Sequence, residues 1–393
     1  MKKLLIIGAS VLQVPAILKA KELGYYVGVI DYNPKAVGIP LADEFFEVST
    51  IDIDGVAETA KRFAPDGIMT LATDMPMRSI AKAAAVCGLP GITMDAAIKA
   101  TDKGEMIKAF EAAGVAHPWY RIAHTKDEFE TAREEITYPC IMKPLDNSGS
   151  RGVVLCHTKD ELTRQYAYTM GESRGAGVIV EEYMVGPEVS VEIIVTGGVP
   201  HVLQVTDKLT TGAPHFVEMG HSQPSRLAAE DLDKIRDLAG RAALAVGVYD
   251  GPAHAEIMLT KDGPKMVEIG ARMGGDCITT HLVPLSTGVD MIRATIEIAC
   301  GQTPDLTPKW EKGAAIRYFN VPCGTITAID GVEDAKRIDG VKDIQFTKAV
   351  GDTSCEIGSS TDRVGFVIAQ KDTAEHAVNV CEQAVENVTI QIS

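Results

Sequence analysis

No two of the eight cysteines have CxxC spacing, so neither a thiolate zinc site nor a dithiol redox motif is offered. Cys140 sits inside the apolar run YPCIM and reads as a reduced core thiol. No apolar run approaches the roughly 20 residues that a membrane-spanning helix needs. The opening MKKLLIIGASVL looks like a short signal segment, but it runs on into a helix and a second strand and reads as a first β-strand. Basic residues are the minority, with 38 Lys and Arg against 54 Asp and Glu and a net charge of -16. So acidic a surface repels phosphate backbones and anionic lipid, which disfavours nucleic-acid and membrane partners. Repeats, low-complexity stretches and a GxxxxGK[ST] phosphate loop are missing as well. What is present is a chain of 393 residues, 46% hydrophobic, expected to be cytoplasmic and long enough for two or three cores.

Apolar strands and amphipathic helices alternate over the first ninety or so residues: strands at Leu4-Ile7, Tyr26-Ile30 and Gly67-Leu71, helices at Gln13-Leu23, Ile53-Phe63 and Met77-Cys87. Buried strands alternating with helices imply a parallel sheet with right-handed crossovers. The turn Gly8-Ala9-Ser10 with Asp31 beyond it resembles a dinucleotide fingerprint. Ser10 and Gln13, however, stand where the second and third glycines would let pyrophosphate approach. The layer is therefore read as Rossmann-like and architectural. Past Pro118 the pattern becomes α+β, with strands at Tyr120-Ala123, Cys140-Lys143, Gly152-Cys156, Val178-Met184 and Val189-Thr196. A long polar segment runs to Pro224, followed by helix Glu230-Ala245 and a hairpin from about Ala253 to Glu268. The tail from about Gly313 has strand-helix character.

Three segments carry chemistry. In IMKPLDNSGSRGV, Lys143 lies on an apolar strand, where an ammonium is expensive to bury without an anion. The small residues after it can curl backbone N–H groups around phosphate oxygens; the bland alternative is a hairpin with a lysine reaching out to water. In VIVEEYMVGPEVSVEI, alternation places Glu188, Ser190 and Glu192 on one strand face, and a carboxylate there can bridge ribose hydroxyls. In isolation this segment reads as a solvated acidic strand end.

The third segment is HAEIMLTKDGPKMVEIGARMGGD. A three-residue loop over Lys261-Gly263 would set Glu256 opposite Glu268 and His254 opposite Gly270, whereas a two-residue Asp262-Gly263 loop would put the glutamates on opposite faces. Opposed carboxylates roughly 5 Å apart destabilise a sheet, and magnesium would remove that repulsion while binding phosphate oxygens. The pair therefore predicts an odd-length loop. Arg272 follows among glycines, and its guanidinium can grip a carboxylate or acyl phosphate at two points. His221, Lys208 and the run Thr210-Phe216 read as a polar covering loop with no role assignable from spacing.

In order, Asp102-Lys103, Ile141-Met142-Lys143-Pro144 with its glycine loop, Glu181-Glu182-Tyr183-Met184, Gly186-Pro187-Glu188, Glu256, Glu268 and Arg272 resemble the ATP-grasp superfamily. The resemblance covers about 101–291 and is nearest the carboxylate–amine ligases, related to the biotin-carboxylase and carbamoyl-phosphate-synthase group. It implies an α/β fold with a Rossmann-like domain over 1–112, an α+β lid over 113–184 and a catalytic α+β domain over 185–312. A C-terminal α+β extension over 313–393 would pack on the catalytic domain.

The resemblance also implies roles. Lys103 and Lys143 would touch ATP phosphates, and Ser148, Gly149, Ser150, Arg151 and Gly152 would form the mobile loop over them. Glu181 with the backbone of Glu182 and Met184 would hold adenine, and Glu188 ribose. Glu256 and Glu268 would bind Mg2+, with Mn2+ as a substitute, and Arg272, with Lys143, would serve catalysis. Many members carry Asn where this chain has Gly270, so His254 is assigned to that space, with His221 as further support for substrate or metal. The implied activity joins a carboxylate, such as an amino acid, to an amine through an acyl phosphate, with a homodimer admitted. The segment Gly220-Ser225 before GPAHAE resembles the dipeptide-forming ligases in particular. The alternatives are a carboxyphosphate- or formyl-phosphate-forming enzyme of the purine-biosynthesis kind and a nucleotide-binding protein without turnover.

Overall fold

The computed structural model describes residues 1–147, 149, 151–212 and 216–393. Four parallel strands, in the order Glu44–Glu47, Tyr26–Asp31, Lys3–Ile7 and Gly67–Met69, form the N-terminal layer. Leu4, Leu5, Ile6 and Ile7 are fully buried, as strands sheathed by helices on both faces must be. The turn after the first strand is filled by its own residues. The Ala9 N–H donates to the Asp31 carboxylate at 2.8 Å, and Gln13 accepts from the Ser10 N–H while its amide donates to the Leu71 carbonyl. A Cβ placed on Gly8 would lie 2.9 Å from the Gln13 side chain. Gln13 thus stands in the approach that a pyrophosphate would need.

A second, antiparallel sheet runs Tyr120–Ala123, Val178–Glu182, Cys140–Pro144, Val154–Cys156. Helices Lys126–Glu135 and Lys159–Glu172 cover one of its faces, burying Phe129, Met142, Leu162 and Val180. The first of these helices starts on a capping box in which Thr125 and Glu128 satisfy each other's backbone N–H groups.

The third sheet has eight strands in the order Gly263–Gly270, Gly251–Thr260, Glu188–Thr196, Val199–Thr210, Glu218–Gln223, Gly313–Tyr318, Gly365–Lys371, Val341–Phe346. Its last three strands come from the C-terminal region, which extends the sheet edge to edge through the pairing of Gly220 with Arg317. Behind the sheet, Ile235, Leu238, Ala239 and Ala242 of helix Ala229–Ala245 pack on Val191, Ile193, Val205, Ala255 and Ile257. Burying each large aliphatic side chain there contributes about 1.5–3 kcal/mol.

Two expectations are corrected. The long polar segment up to Pro224, with Lys208, Thr210-Phe216 and His221 read as a covering loop, holds two strands, Val199–Thr210 and Glu218–Gln223, well inside the sheet. Residues 213–215 lie outside the described residues. Val205 is buried in the core, while Thr206 and Lys208 are buried on the other face, among polar groups. Polar residues facing an internal charged site have the same pattern as polar residues facing water, and alternation alone does not separate the two. The odd hairpin loop is also absent. Thr260 pairs with Gly263 around a two-residue turn, Lys261-Asp262. Glu256 nevertheless stands opposite Glu268 and His254 opposite Gly270, because the register shifts between Glu256 and Ile257, with Val267 as the extra residue. A bulge that places two residues against one moves every side chain beyond it to the other face.

Candidate active site

The polar face of the eight-stranded sheet is assembled from three neighbouring strands. Glu192 lies opposite His254, Ser190 opposite Glu256, and Glu256 opposite Glu268. Glu192, Ser190 and His254 are buried. The repulsion expected of such a carboxylate row is offset by cations from elsewhere in the fold. Lys208 reaches Glu188 at 2.7 Å, Glu256 at 3.3 Å and Glu218 at 3.6 Å. Lys103 reaches Glu268 at 3.1 Å, and His254 Nδ1 lies 2.7 Å from Glu192 with Nε2 3.6 Å from Glu256.

These contacts set the protonation states. Burial alone would discharge Lys208, but Glu256, Glu188 and Glu218 hold its pKa well above the ordinary lysine range. Burial raises Glu256, yet Lys208 and His254 overcome it and hold the carboxyl well below its usual range. Glu188 moves the other way, because burial and the neighbouring Glu256 outweigh Lys208. His254, pulled down by burial and pushed up by Glu192 and Glu256, is raised to about 9. A raised folded-state pKa contributes stability that is fully present below the unfolded value near 6.5 and lost as pH climbs through the folded one. Urea melts of the intact protein are therefore expected to show stability falling by ~3 kcal/mol between about pH 6.5 and pH 9. That fall should be missing in His254→Gln; an equal slope in the variant would remove the histidine from the account.

Lys103 is placed by a helix start. Asp102 caps helix Lys103–Ala112 by accepting from the Gly104 and Glu105 N–H groups, and the Lys103 N–H donates to the Leu145 carbonyl. Its ammonium donates to the Asn147 carbonyl at 2.9 Å. Lys143, 8% exposed on its strand, pairs with Glu181 at 2.7 Å. Burial opposes its charge, but Glu181, Glu268 and Glu188 together raise its pKa. Glu182 is tied to Lys265, and Met184 is half-buried on the connection toward Gly186. Gly152 is buried at φ 75°, where a Cβ would lie 2.7 Å from Pro144. Gly149 and Arg151 are exposed, and Ser148 and Ser150 lie outside the described residues.

Arg272 was legible in sequence, but its partner was not. Asp74, from the N-terminal layer, accepts from Nε and Nη2 of Arg272, both at 2.9 Å. A Cβ on Gly270 would sit 2.7 Å from Asp74 Oδ1, so the glycine makes room for this pair. The space expected to be filled by His254 is therefore taken by Asp74 and Arg272, and His254 instead bridges Glu192 and Glu256. His221 Nε2 lies 3.4 Å from Asp276, which also takes a two-point bond from Arg363. Arg363 stacks on Tyr318, 3.8 Å from the ring centroid, and donates to the Glu218 carbonyl. Desolvation raises the half-buried Asp276, but Arg363 and His221 outweigh it and hold its carboxyl below the usual range. Lys208, Asp74, Asp276 and Arg363 had no local signal beyond residue type.

The ATP-grasp domain family matches residues 136–280, the stretch that carries Lys143, Glu188, Glu256, Glu268 and Arg272. The chain thus carries an ATP-grasp domain and is similar to ATP-grasp ligases. The family of L-amino acid ligase C-terminal domain 2 matches residues 317–393 of this ATP-grasp protein. Protein y4rH of Sinorhizobium fredii is 29% identical over 359 residues, 89% of this chain and 74% of that one. Alanine–anticapsin ligase of Bacillus subtilis is 29% identical over 278 residues, 65% of this chain and 58% of that enzyme. An L-amino acid ligase structure from Bacillus licheniformis superposes with a TM-score of 0.86 at 24% identity, covering 100% of this chain and 99% of that one, a likeness of fold. ATP with Mg2+ is the general cofactor set of the ATP-grasp family. Among the described residues no helix is long and apolar enough to cross a membrane.

Proposed function

We propose that this protein joins a carboxylate, with an amino acid the leading candidate, to an amine in an ATP- and Mg2+-dependent reaction through an acyl phosphate. The observation that carries the reading is the convergence of Lys103, Lys143, Arg272 and the opposed Glu256 and Glu268 on one side of the sheet. The amino-acid preference draws on the match of the C-terminal region to the L-amino acid ligase domain.

The donor chemistry fits magnesium. Glu256 and Glu268 are hard oxygen donors on one face, and no group of three or more protein donors forms a closed cage among the described residues. A partial set that leaves positions for phosphate oxygens is what Mg2+ with nucleotide requires. When bound there, Mg2+ supplies charge neutralisation to the phosphates.

The chain's own residues do the rest. Lys103 and Lys143 hold the phosphate oxygens as the substrate carboxylate attacks the γ-phosphorus and ADP leaves. The amine then attacks the acyl carbon, the C–N bond forms, and phosphate departs. Arg272, aligned by Asp74, presents N–H donors to the oxygen that gains charge in the tetrahedral state. No protein nucleophile is needed, because positioning and electrostatics lower the barrier. The sheet Tyr120–Cys156 and Val178–Glu182 carries Lys143 and, by closing on ATP, would keep water from the acyl phosphate.

A screen of amino-acid pairs for ADP and phosphate release tests this reading. Release that requires both an amino acid and an amine is expected. Release driven by bicarbonate or formate with an amine would replace the reading with a carboxyphosphate or formyl-phosphate chemistry. Nucleotide binding without release for any acid would leave a non-catalytic protein.

A further inference from the structure

Beside the catalytic groups lies a cavity of about 360 Å³ between the N-terminal layer, the sheet that carries Lys143, and the eight-stranded sheet. Lys103 and Glu268 line it on one side and Arg272 with Asp74 on another. Its remaining wall presents Arg78, Ser79 and Arg174. Arg78 Nε donates to the Thr101 hydroxyl, which itself donates to the Ala97 carbonyl, and Arg174 Nη1 lies 3.0 Å from the Met75 sulfur, a weak acceptor. Neither guanidinium has an ion-pair partner among the described residues, although acids outnumber bases by 54 to 38. Ser79, 1% exposed, keeps a buried hydroxyl without a hydrogen-bond partner among the described residues. Asp146 also borders the cavity, but its carboxylate accepts from the Ser173 hydroxyl and the Arg174 backbone N–H.

We propose that Arg78, Ser79 and Arg174 bind a second anionic group carried by the substrates, distinct from the carboxylate that is activated. The proposal rests on the ligase reading for its substrates. Ten guanidinium N–H groups, of which the protein engages few, and an unsatisfied hydroxyl form a wall rich in donors. Leaving the buried Ser79 hydroxyl unmatched is unfavourable, and a carboxylate or phosphate would satisfy it together with the half-buried Arg78 and the exposed Arg174 through charge-assisted bonds. The anion has two sources: the side chain of a dicarboxylic acid substrate, or the carboxylate of an amino acid acting as the amine.

Two arms separate the sources. Aspartate, glutamate and succinate are compared with asparagine, glutamine and succinamate as acid substrates, and glycine with glycinamide as the amine, in wild type, Arg78→Met and Arg174→Met. In one arm the anionic substrate is expected to exceed its neutral isostere in kcat/KM by about 10- to 100-fold. Each variant should bring that ratio close to one without changing kcat/KM for the neutral compound or KM for ATP. Equal wild-type rates with anionic and neutral partners in both arms would overturn the proposal. So would a raised KM for ATP in the variants, which would assign the arginines to nucleotide. Turnover of anionic pairs without any arginine dependence sinks this inference and leaves the ligase reading standing. If no acid and amine release ADP, the ligase reading falls, and titration calorimetry with glutamate and glycine in the presence of ADP decides the site. Binding weakened at least tenfold by Arg78→Met supports it, and equal or absent binding overturns it.

Discussion

Glu268→Gln is expected to reduce Mg2+-dependent turnover by about three orders of magnitude while the protein stays folded. The side chain is 29% exposed and its nearest cation is Lys103, which keeps the Asn147 carbonyl as a second partner. Glutamine preserves the shape and removes the charge. What is lost is one of two carboxylates proposed to hold the metal, and a Lewis-acid contribution of several kcal/mol corresponds to about 10³ in rate. Glu256→Gln should match it in kinetics but also destabilise, because Lys208 and His254 both lean on Glu256 from buried positions. Steady-state kinetics against magnesium, with urea melts alongside, separate the two. Unchanged magnesium-dependent turnover in Glu268→Gln would sink the metal assignment.

Arg272→Met is expected to lower kcat by about 10²–10³, the usual loss on removing a donor aimed at charge that develops in the transition state. KM for ATP should stay within a factor of two or so, since Lys103 and Lys143 carry the phosphates in this scheme. Arg272→Lys should recover little of the loss: Asp74 takes two parallel bonds from the guanidinium, and an ammonium cannot reproduce that fork. Asp74→Asn tests the aligning role by itself. It keeps the volume, weakens the pair and should produce a smaller fall in kcat than Arg272→Met. A variant at Arg272 whose kcat is intact and whose ATP KM rises would move the residue from the acyl centre to the nucleotide.

Most of the residues proposed to carry chemistry were legible because they combined residue type with an informative surrounding. Lys143 is a charge on an apolar strand, and Glu256 and Glu268 are charges in apolar strands joined by a turn, whereas Lys103 has the look of an ordinary helix lysine and was singled out by the resemblance alone. Strand and helix periods placed the N-terminal layer and the hairpin for the same reason, since a period of 2 or 3.6 is a property of neighbours in the chain. Facing of the two glutamates was anticipated through the wrong device. An odd loop was expected, and a two-residue turn with a bulge at Val267 produces the same pairing.

By itself, then, the sequence determined the family of the fold and most of its N-terminal elements, and it supplied the residues proposed to handle phosphate and metal. Tertiary structure alone decided how those charges are balanced. Asp74 meets Arg272 across 198 positions, and Arg363 meets Asp276 across 87. Lys208 enters a ring of three carboxylates from a segment with the composition of a surface loop. The physical reason is that local periodicity reports which face of an element is polar. Whether that face meets water or another buried charge is settled only when distant strands come together and burial removes the solvent.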